Sequence, residues 1–127
     1  MKDVVAFNAS HPEAIPYGMN LLEAANATKG DLSEKAYLDD RARDLRMCRS
    51  QGIDACLAKF GVDVLVAPMD RAAKLLGKAG YPAVSIPCGY TPSGAPVGVT
   101  FFGTAFSEPM LIQAAANAER VLSPTKG

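Results

Sequence analysis

Two stretches in the first half of the chain place apolar residues at intervals of three and four, the spacing of a helix that buries one face. The first is Met19–Ala27, followed by Gly30, a residue type that suits the position after a helix C-terminus. The second is expected to begin at the capping-box sequence Asp31-Leu32-Ser33-Glu34 and to run to about Lys59. Gly52 lies inside it, where glycine either kinks the helix or lets another group pack closely.

A third stretch of helical spacing lies at the end of the chain. Ser107 is expected to cap it, and Pro109 stands in the first turn, where proline is tolerated. The apolar stripe continues to Leu122, and Pro124 and Gly127 stand at the end of the chain.

Two apolar runs lack this spacing and predict strands. Val4–Phe7 is short and is expected to be a strand or the tail of one. Val62–Pro68 is apolar apart from Asp63 and rich in valine, which is typical of a strand covered on both faces. The residues that follow, Met69–Ala79, are expected to form a loop with a helical turn.

A proline stands on each side of the run Ala83–Ile86. Because proline has no backbone N–H, Pro82 and Pro87 are expected to set the ends of this strand. Val99–Phe102 follows after a Pro/Gly turn, so the two runs are placed for an antiparallel hairpin. The order helix, helix, strand, strand, strand, helix predicts an α/β fold: a mixed β-sheet with helices packed on it, in a single domain over residues 1–127.

Composition narrows the possible partners and the compartment. Lys plus Arg and Asp plus Glu both number 13, so no electrostatic footprint for nucleic acid or an anionic membrane is expected. No run approaches the roughly 20 apolar residues of a membrane span. The N-terminal run is too short for a signal peptide and the cysteines lack paired spacing, which favours a cytoplasmic protein with reduced thiols. A single histidine and no Cys/His cluster predict no metal site, and no cofactor is expected.

Residue types that carry catalysis are present, but not in a known catalytic motif. Ser93 is expected to hydrogen-bond locally in a turn. Cys88 is expected to be a small buried hydrophobe; the alternative, a nucleophile, would need a base such as His11, itself expected to be a loop residue. Asp70 follows a strand-end proline, where binding residues often lie in open α/β sheets, whereas Asp39-Asp40 suits a solvated helix face.

Three motifs together resemble the C-terminal part of the amidase signature family. They are "VVAFNASHPEAIPYGMNLLEAANAT", "GIDACLAKFGVDVLVAP", and "AGYPAVSIPCGY" with "GAPVGVTFFGTAFSEPMLIQAAANAERV". Their order and spacing agree from about Val4 to Val121, nearly the whole chain. The resemblance implies a partial amidase fold in which the proline-bounded strand belongs to a larger mixed sheet.

The resemblance also implies an activity, amide C–N bond hydrolysis by two serines and a lysine. The family's Gly/Ser-rich signature and catalytic lysine lie upstream of the matched part, and no stretch like "GGSSGG" occurs here. No catalytic residue is therefore carried over, and the chain alone is expected to be inactive, as a truncated or pseudoenzyme form. In the family the loop after Pro68 lines the acyl side of the substrate channel, which makes Met69, Ala73 and Leu76 candidate channel-wall residues. Ordinary core packing is the alternative for Met69 and Leu76.

Two classes of function remain open at this point. In the first, the chain is a C-terminal amidase segment whose partner is an N-terminal amidase portion that supplies the nucleophile and oxyanion donors. In the second, it is a stand-alone binding or homo-oligomerising protein derived from such a segment, because unpaired strand edges and uncovered apolar faces favour self-association. Cysteine-based hydrolysis through Cys88 is a third alternative.

Overall fold

The computed structural model describes residues 1–122, and Pro124 and Gly127 lie outside the described residues. The chain divides into two compact units, Met1–Asp40 and a second that begins at Arg41. The assignment of residues 1–127 to one domain stays a prediction. No helix of the described part combines the length and the apolar character that crossing a bilayer would need.

The first unit is built from short helices. Helix α1 spans Lys2–Ser10, a 3-10 turn spans Pro12–Ala14, and α2 spans Asn20–Asn26. The strand expected at Val4–Phe7 is wrong, because these residues lie within α1. A short apolar run fits a strand or a helix equally well. Local contacts accompany the helix: the Phe7 and His11 rings stack with centroids 4.1 Å apart.

The prediction of α2 is confirmed, but the start expected for the next helix is wrong. The Asp31 carboxylate accepts hydrogen bonds from the backbone N–H and the hydroxyl of Ser33, at 3.0 and 2.7 Å. This contact two residues along is a turn in itself and competes with capping three residues along. Leu32 accordingly has a positive φ of 60°, and helix α3 begins only at Lys35.

The long helix expected up to Lys59 is interrupted at Gly52. Helix α3 spans Lys35–Cys48, a π-helical turn spans Arg49–Ile53, and α4 spans Asp54–Phe60. A Cβ placed on Gly52 would lie 2.5 Å from the Met47 carbonyl oxygen, so only glycine fits this wide turn. The expected role of Gly52 as a kink or close-packing position is confirmed.

The sheet contains three described strands: β1 (Leu65–Pro68), β2 (Ala83–Tyr90) and β3 (Pro96–Phe102), in the order β1-β3-β2. Both pairings are antiparallel, and the predicted β2–β3 hairpin is confirmed. The helical turn expected between β1 and β2 is helix α5, Ala73–Ala79.

Two predicted strand features are wrong. β1 lies at one side of the described sheet and its Val66 is 55% exposed, so it is not covered on both faces. Pro87 lies within β2 and does not end it, although Pro82 does precede the strand. The register shifts between Pro87 and Gly89, and such an irregularity is where a strand tolerates a residue without an N–H donor.

The core of the second unit is divided between the two faces of the sheet. On one face Phe102 packs in a cluster with Cys48, Ile53, Ala72 and Ala79 from the helical segments. On the other, Ile86 and Phe101 pack against Leu111 and Ala115 of helix α6, which spans Glu108–Leu122. Ser107 directly precedes α6, but its hydroxyl donates to the Thr104 carbonyl oxygen at 2.7 Å. The predicted α/β class, a sheet with packed helices, is confirmed.

Candidate functional site

A cavity of about 690 Å³ opens on the face of the sheet that carries Thr100. This volume falls in the range of small-molecule sites. The three residues predicted as channel wall, Met69, Ala73 and Leu76, all line it. The remaining lining residues come from the neighbouring loop and strands: Asp70, Ala83, Ser85, Gly98 and Thr100. The structure thus brings the three residues together at one cavity, and their role toward a substrate stays a prediction.

Met69 is fixed at the rim by its backbone. Its N–H donates to the Gly98 carbonyl oxygen at 2.9 Å, and its sulfur accepts the Gly98 N–H at 3.3 Å. Its φ is +52°, a left-handed backbone conformation that residues other than glycine adopt rarely. Where they do, the residue usually lies in a turn or at a functional site. The turn ends β1 and leads the chain toward α5, so the strand end and the helix border the same cavity.

A line of hydroxyl groups runs along one border of the cavity. Ser85 and Thr100 are opposite each other in the β2–β3 register, with their oxygens 2.8 Å apart. The Thr100 hydroxyl donates to the Met69 carbonyl oxygen at 2.9 Å. Thr100 is 8% exposed, whereas Ser85 is exposed toward solvent. Ser85 is therefore the accessible end of a hydrogen-bonded line that begins at the Met69 backbone.

The other residues singled out from the sequence lie outside this cavity. The Ser93 hydroxyl bonds to Thr91 in the β2–β3 turn, as predicted. Cys88 lies beside the irregularity in β2 and is half-buried. Nδ1 of His11 lies 2.9 Å from the Phe7 carbonyl oxygen and 3.0 Å from the Ser10 hydroxyl, so its hydrogen-bonding neighbours both belong to α1. Of the predicted polar candidates, Asp70 alone lines the cavity.

A second polar cluster was not predicted from the sequence. The Tyr81 hydroxyl donates to one oxygen of Asp54 at 2.7 Å, and Thr104 donates to the other oxygen at 2.8 Å. The Arg49 guanidinium lies 5.2 Å from the Tyr81 ring centroid and donates to the Ala79 carbonyl oxygen. Burial and the hydrogen bond to Asp54 raise the pKa of the Tyr81 hydroxyl above its ordinary value. The cluster joins three segments of the second unit that are distant in sequence.

No group of three or more His, Cys, Asp or Glu side chains could hold a metal ion within residues 1–122. Near the Asp54 cluster, a second open cavity of about 570 Å³ is lined by Asp54, Asp63 and Thr104 among others. Both oxygens of Asp54 already accept hydrogen bonds from the protein.

Known proteins are similar to this chain in sequence and in structure. The structure superposes on peptide amidase from Stenotrophomonas maltophilia with a TM-score of 0.83 and 36% identity, over 95% of this chain and 27% of that one. The chain is related to the amidase signature family. A probable amidase of Arabidopsis thaliana is 30% identical over 118 residues, 91% of this chain and 22% of its own length. A glutamyl-tRNA(Gln) amidotransferase subunit from Synechococcus sp. (strain WH7803) is 36% identical over 73 residues, 58% of this chain and 14% of its own.

No family model matches the chain. The chain spans about a quarter or less of the length of these relatives, and the matched portion corresponds to the C-terminal part of an amidase domain. The resemblance deduced from the three motifs is confirmed for the family and for a partial amidase fold.

Proposed function

We propose that the chain is the C-terminal segment of an amide C–N bond hydrolase, and that it contributes substrate-channel wall and scaffold to that enzyme. The observation that carries this proposal is the cavity, because the three channel-wall residues taken from the resemblance line it together. The likeness to peptide amidase, at 36% identity over 95% of the chain, supports amides as the substrate class.

We also propose that this chain alone does not hydrolyse amides. Family catalysis uses serines activated by a lysine, and the described serines have other partners. Their hydroxyls bond to backbone carbonyls, to neighbouring side chains in turns or, for Ser85, to Thr100; the residues are Ser10, Ser33, Ser50, Ser85, Ser93 and Ser107. None of these contacts is with a lysine. An activated nucleophile needs such a base within hydrogen-bond reach.

The partner in this proposal is an amidase polypeptide that carries the Ser/Lys region. Large apolar side chains are exposed on both units, among them Phe7, Leu21, Val66, Phe106 and Val121. A larger amidase domain would cover such side chains, and relatives that are four times longer or more contain the additional chain to do so. A reducing compartment is part of the proposal, since Cys48, Cys56 and Cys88 are all free thiols.

Complementation tests this function directly. The chain is assayed on a peptide C-terminal amide, alone and mixed with a peptide amidase fragment that lacks the homologous segment. We expect no turnover above background from either part and amidase activity from the mixture. The control is the mixture with the nucleophilic serine of the fragment replaced, which should be inactive. Turnover by the chain alone would overturn the proposal, and its loss in Cys88→Ala would assign it to the cysteine.

The second candidate function is a stand-alone homo-oligomeric binding protein. The observation that favours it is the sheet: within residues 1–122, β1 and β2 each pair on one side only. Strands with one open side can pair with another chain. Light scattering separates the candidates, because a stable dimer or larger assembly of the pure chain that does not respond to the amidase fragment would favour the second.

A further inference from the structure

The direction of the hydrogen bonds along the cavity wall determines what the wall offers to a ligand. The Met69 carbonyl oxygen can only accept, so the proton between it and Thr100 belongs to the Thr100 hydroxyl. The short contact between Thr100 and Ser85 then needs the Ser85 proton, because the single proton of Thr100 is already used. The exposed Ser85 oxygen therefore faces the cavity with lone pairs and without a free proton.

The other polar contributions to the wall have the same character. The Gly98 N–H, a backbone donor at this wall, is taken by the Met69 sulfur. Asp70 adds a carboxylate, which only accepts, and among the described residues no hydrogen bond or ion pair occupies it. The neighbouring cations in the chain, Arg71 and Lys74, are not among the lining residues. The rest of the wall is apolar, formed by Ala73, Leu76 and Ala83 with the Met69 side chain.

We infer that this cavity binds an apolar group that carries a cationic hydrogen-bond donor, as in an aryl- or alkyl-ammonium, with the donor placed between the Ser85 oxygen and the Asp70 carboxylate. The inference rests on the proposed function for the cavity's role as a substrate wall, and it then favours substrates with an apolar side group next to an amine. An acceptor-only or anionic ligand of the same shape would leave two acceptors unsatisfied and meet a like charge.

Three probes that share a phenethyl group test the inference on the full chain. They are phenethylammonium, 3-phenylpropionate and 4-phenylbutan-2-one, titrated at neutral pH while the backbone amide signals of Gly98 and Thr100 are followed by NMR. We expect phenethylammonium to bind about tenfold more tightly than the carboxylate, with the ketone also weaker than the ammonium. The inference is overturned if the carboxylate or the ketone binds as tightly, or if no probe shifts the signals of the cavity.

Variants with matched controls locate the two acceptors. Asp70→Asn should weaken phenethylammonium about threefold, the scale of an exposed ion pair, whereas Asp39→Asn, on a carboxylate outside the cavity, should not. Ser85→Ala should weaken it about threefold to tenfold, whereas Ser93→Ala in the turn should not. Unchanged binding in both cavity variants would overturn the inference. If Ser85→Ala does not fold, Asp70→Asn and the probe series still decide.

Thr100→Val is the sharpest variant, because it removes the oxygen that holds the Ser85 proton. The Ser85 hydroxyl can then turn and donate into the cavity, so affinity for the ketone should rise relative to that for the ammonium by about threefold. A ratio that does not move in folded Thr100→Val contradicts the assigned direction of the hydrogen bonds. These are binding measurements on the chain alone, so they can fail while complementation succeeds, and the reverse.

Discussion

The two units of the chain differ most in what they bury. All of the buried residues in the described part lie in the second unit, between Cys48 and Ala115, and none lies within residues 1–40. In the first unit Leu21 and Tyr17 are 87% and 101% exposed, while in the second Leu111 is fully buried. Both units form helices, so secondary structure alone does not distinguish them.

The difference shows which part carries its own stabilisation. The helices of the first unit have nine and seven residues, and isolated helices shorter than about 12 residues are marginal in water. Local contacts such as the Phe7–His11 stack specify the conformation but bury little apolar surface. The second unit has a packed cluster on each face of its sheet. We therefore expect an added polypeptide, as in the proposed complex, to stabilise the first unit more than the second.

Replacing one leucine in each unit should give the largest contrast in stability. Leu111→Ala removes a side chain that is 0% exposed, and we expect a loss of about 2–5 kcal/mol in the free energy of unfolding. Leu21→Ala, at a side chain that is 87% exposed, should change it by less than about 0.5 kcal/mol. Urea unfolding followed by circular dichroism measures both. Equal losses would mean that the first unit is as well packed as the second.

Two glycines of the second unit should respond to alanine substitution with opposite changes in stability. Gly52→Ala would bring a Cβ within 2.5 Å of the Met47 carbonyl oxygen, so we expect it to destabilise the chain by about 1–3 kcal/mol. Gly77 lies in α5 with nothing within 4 Å of an added Cβ, and Gly77→Ala should stabilise by about 0.5–1 kcal/mol. Thermal unfolding gives both values. A tolerated alanine at position 52 would mean that the π turn relaxes to an α-helix without cost.

The sequence predicted those elements whose signals are local and periodic. Helix α2, the β2–β3 hairpin and the special role of Gly52 followed from apolar spacing, turn residues and the cost of glycine. Helix α1 did not, because four apolar residues do not define a period. The prediction that β1 is covered on both faces was also wrong. A continuous apolar run indicates a strand buried on both faces, whereas Val66 is exposed.

The candidate site was predictable only in part. Met69, Ala73 and Leu76 came from family resemblance, not from a pattern in the residues themselves. No sequence signal specified the contact between Ser85 and Thr100, because it depends on the exact register of β2 against β3. The Asp54–Tyr81–Thr104 cluster joins residues 27 and 50 positions apart, and nothing local specifies such a separation. Alternation of side chains in the hairpin would at least have placed Ser85 and Thr100 on one face.

Replacing one tyrosine in each unit should give a smaller difference in stability. Tyr81→Phe removes the hydrogen bond to Asp54 and should cost about 1 kcal/mol at neutral pH, whereas Tyr17→Phe, at a fully exposed side chain, should cost nothing measurable. Because the pKa of Tyr81 is raised in the folded chain, its contribution is fully present below the ordinary pKa of 10.0 and is lost as pH rises through the folded value.

The pH dependence of the free energy of unfolding tests the raised pKa of Tyr81. Denaturant unfolding at a series of pH values above 9 should show wild type losing stability more steeply than Tyr81→Phe, while Tyr17→Phe should follow wild type. Parallel curves for wild type and Tyr81→Phe would contradict a raised pKa at this residue.

The smallest expected effect concerns the turn at Asp31 in the first unit. The hydrogen bonds from the hydroxyl and the backbone N–H of Ser33 lower the pKa of the Asp31 carboxyl below its ordinary 3.8. The turn is thus favoured by the ionised carboxylate above pH 3.8, and that contribution is lost as pH falls through the lowered value. Ser33→Ala should move the pKa back up, whereas Ser10→Ala should leave it unchanged, as measured by carbon NMR of the side-chain carboxyl. Because these bonds span only two residues, the lowered pKa needs no buried core, and it should persist in Leu111→Ala. If instead the pKa returns to the ordinary value when Leu111 is truncated, the first unit depends on the core of the second, and the contrast between a locally held unit and a packed one no longer holds.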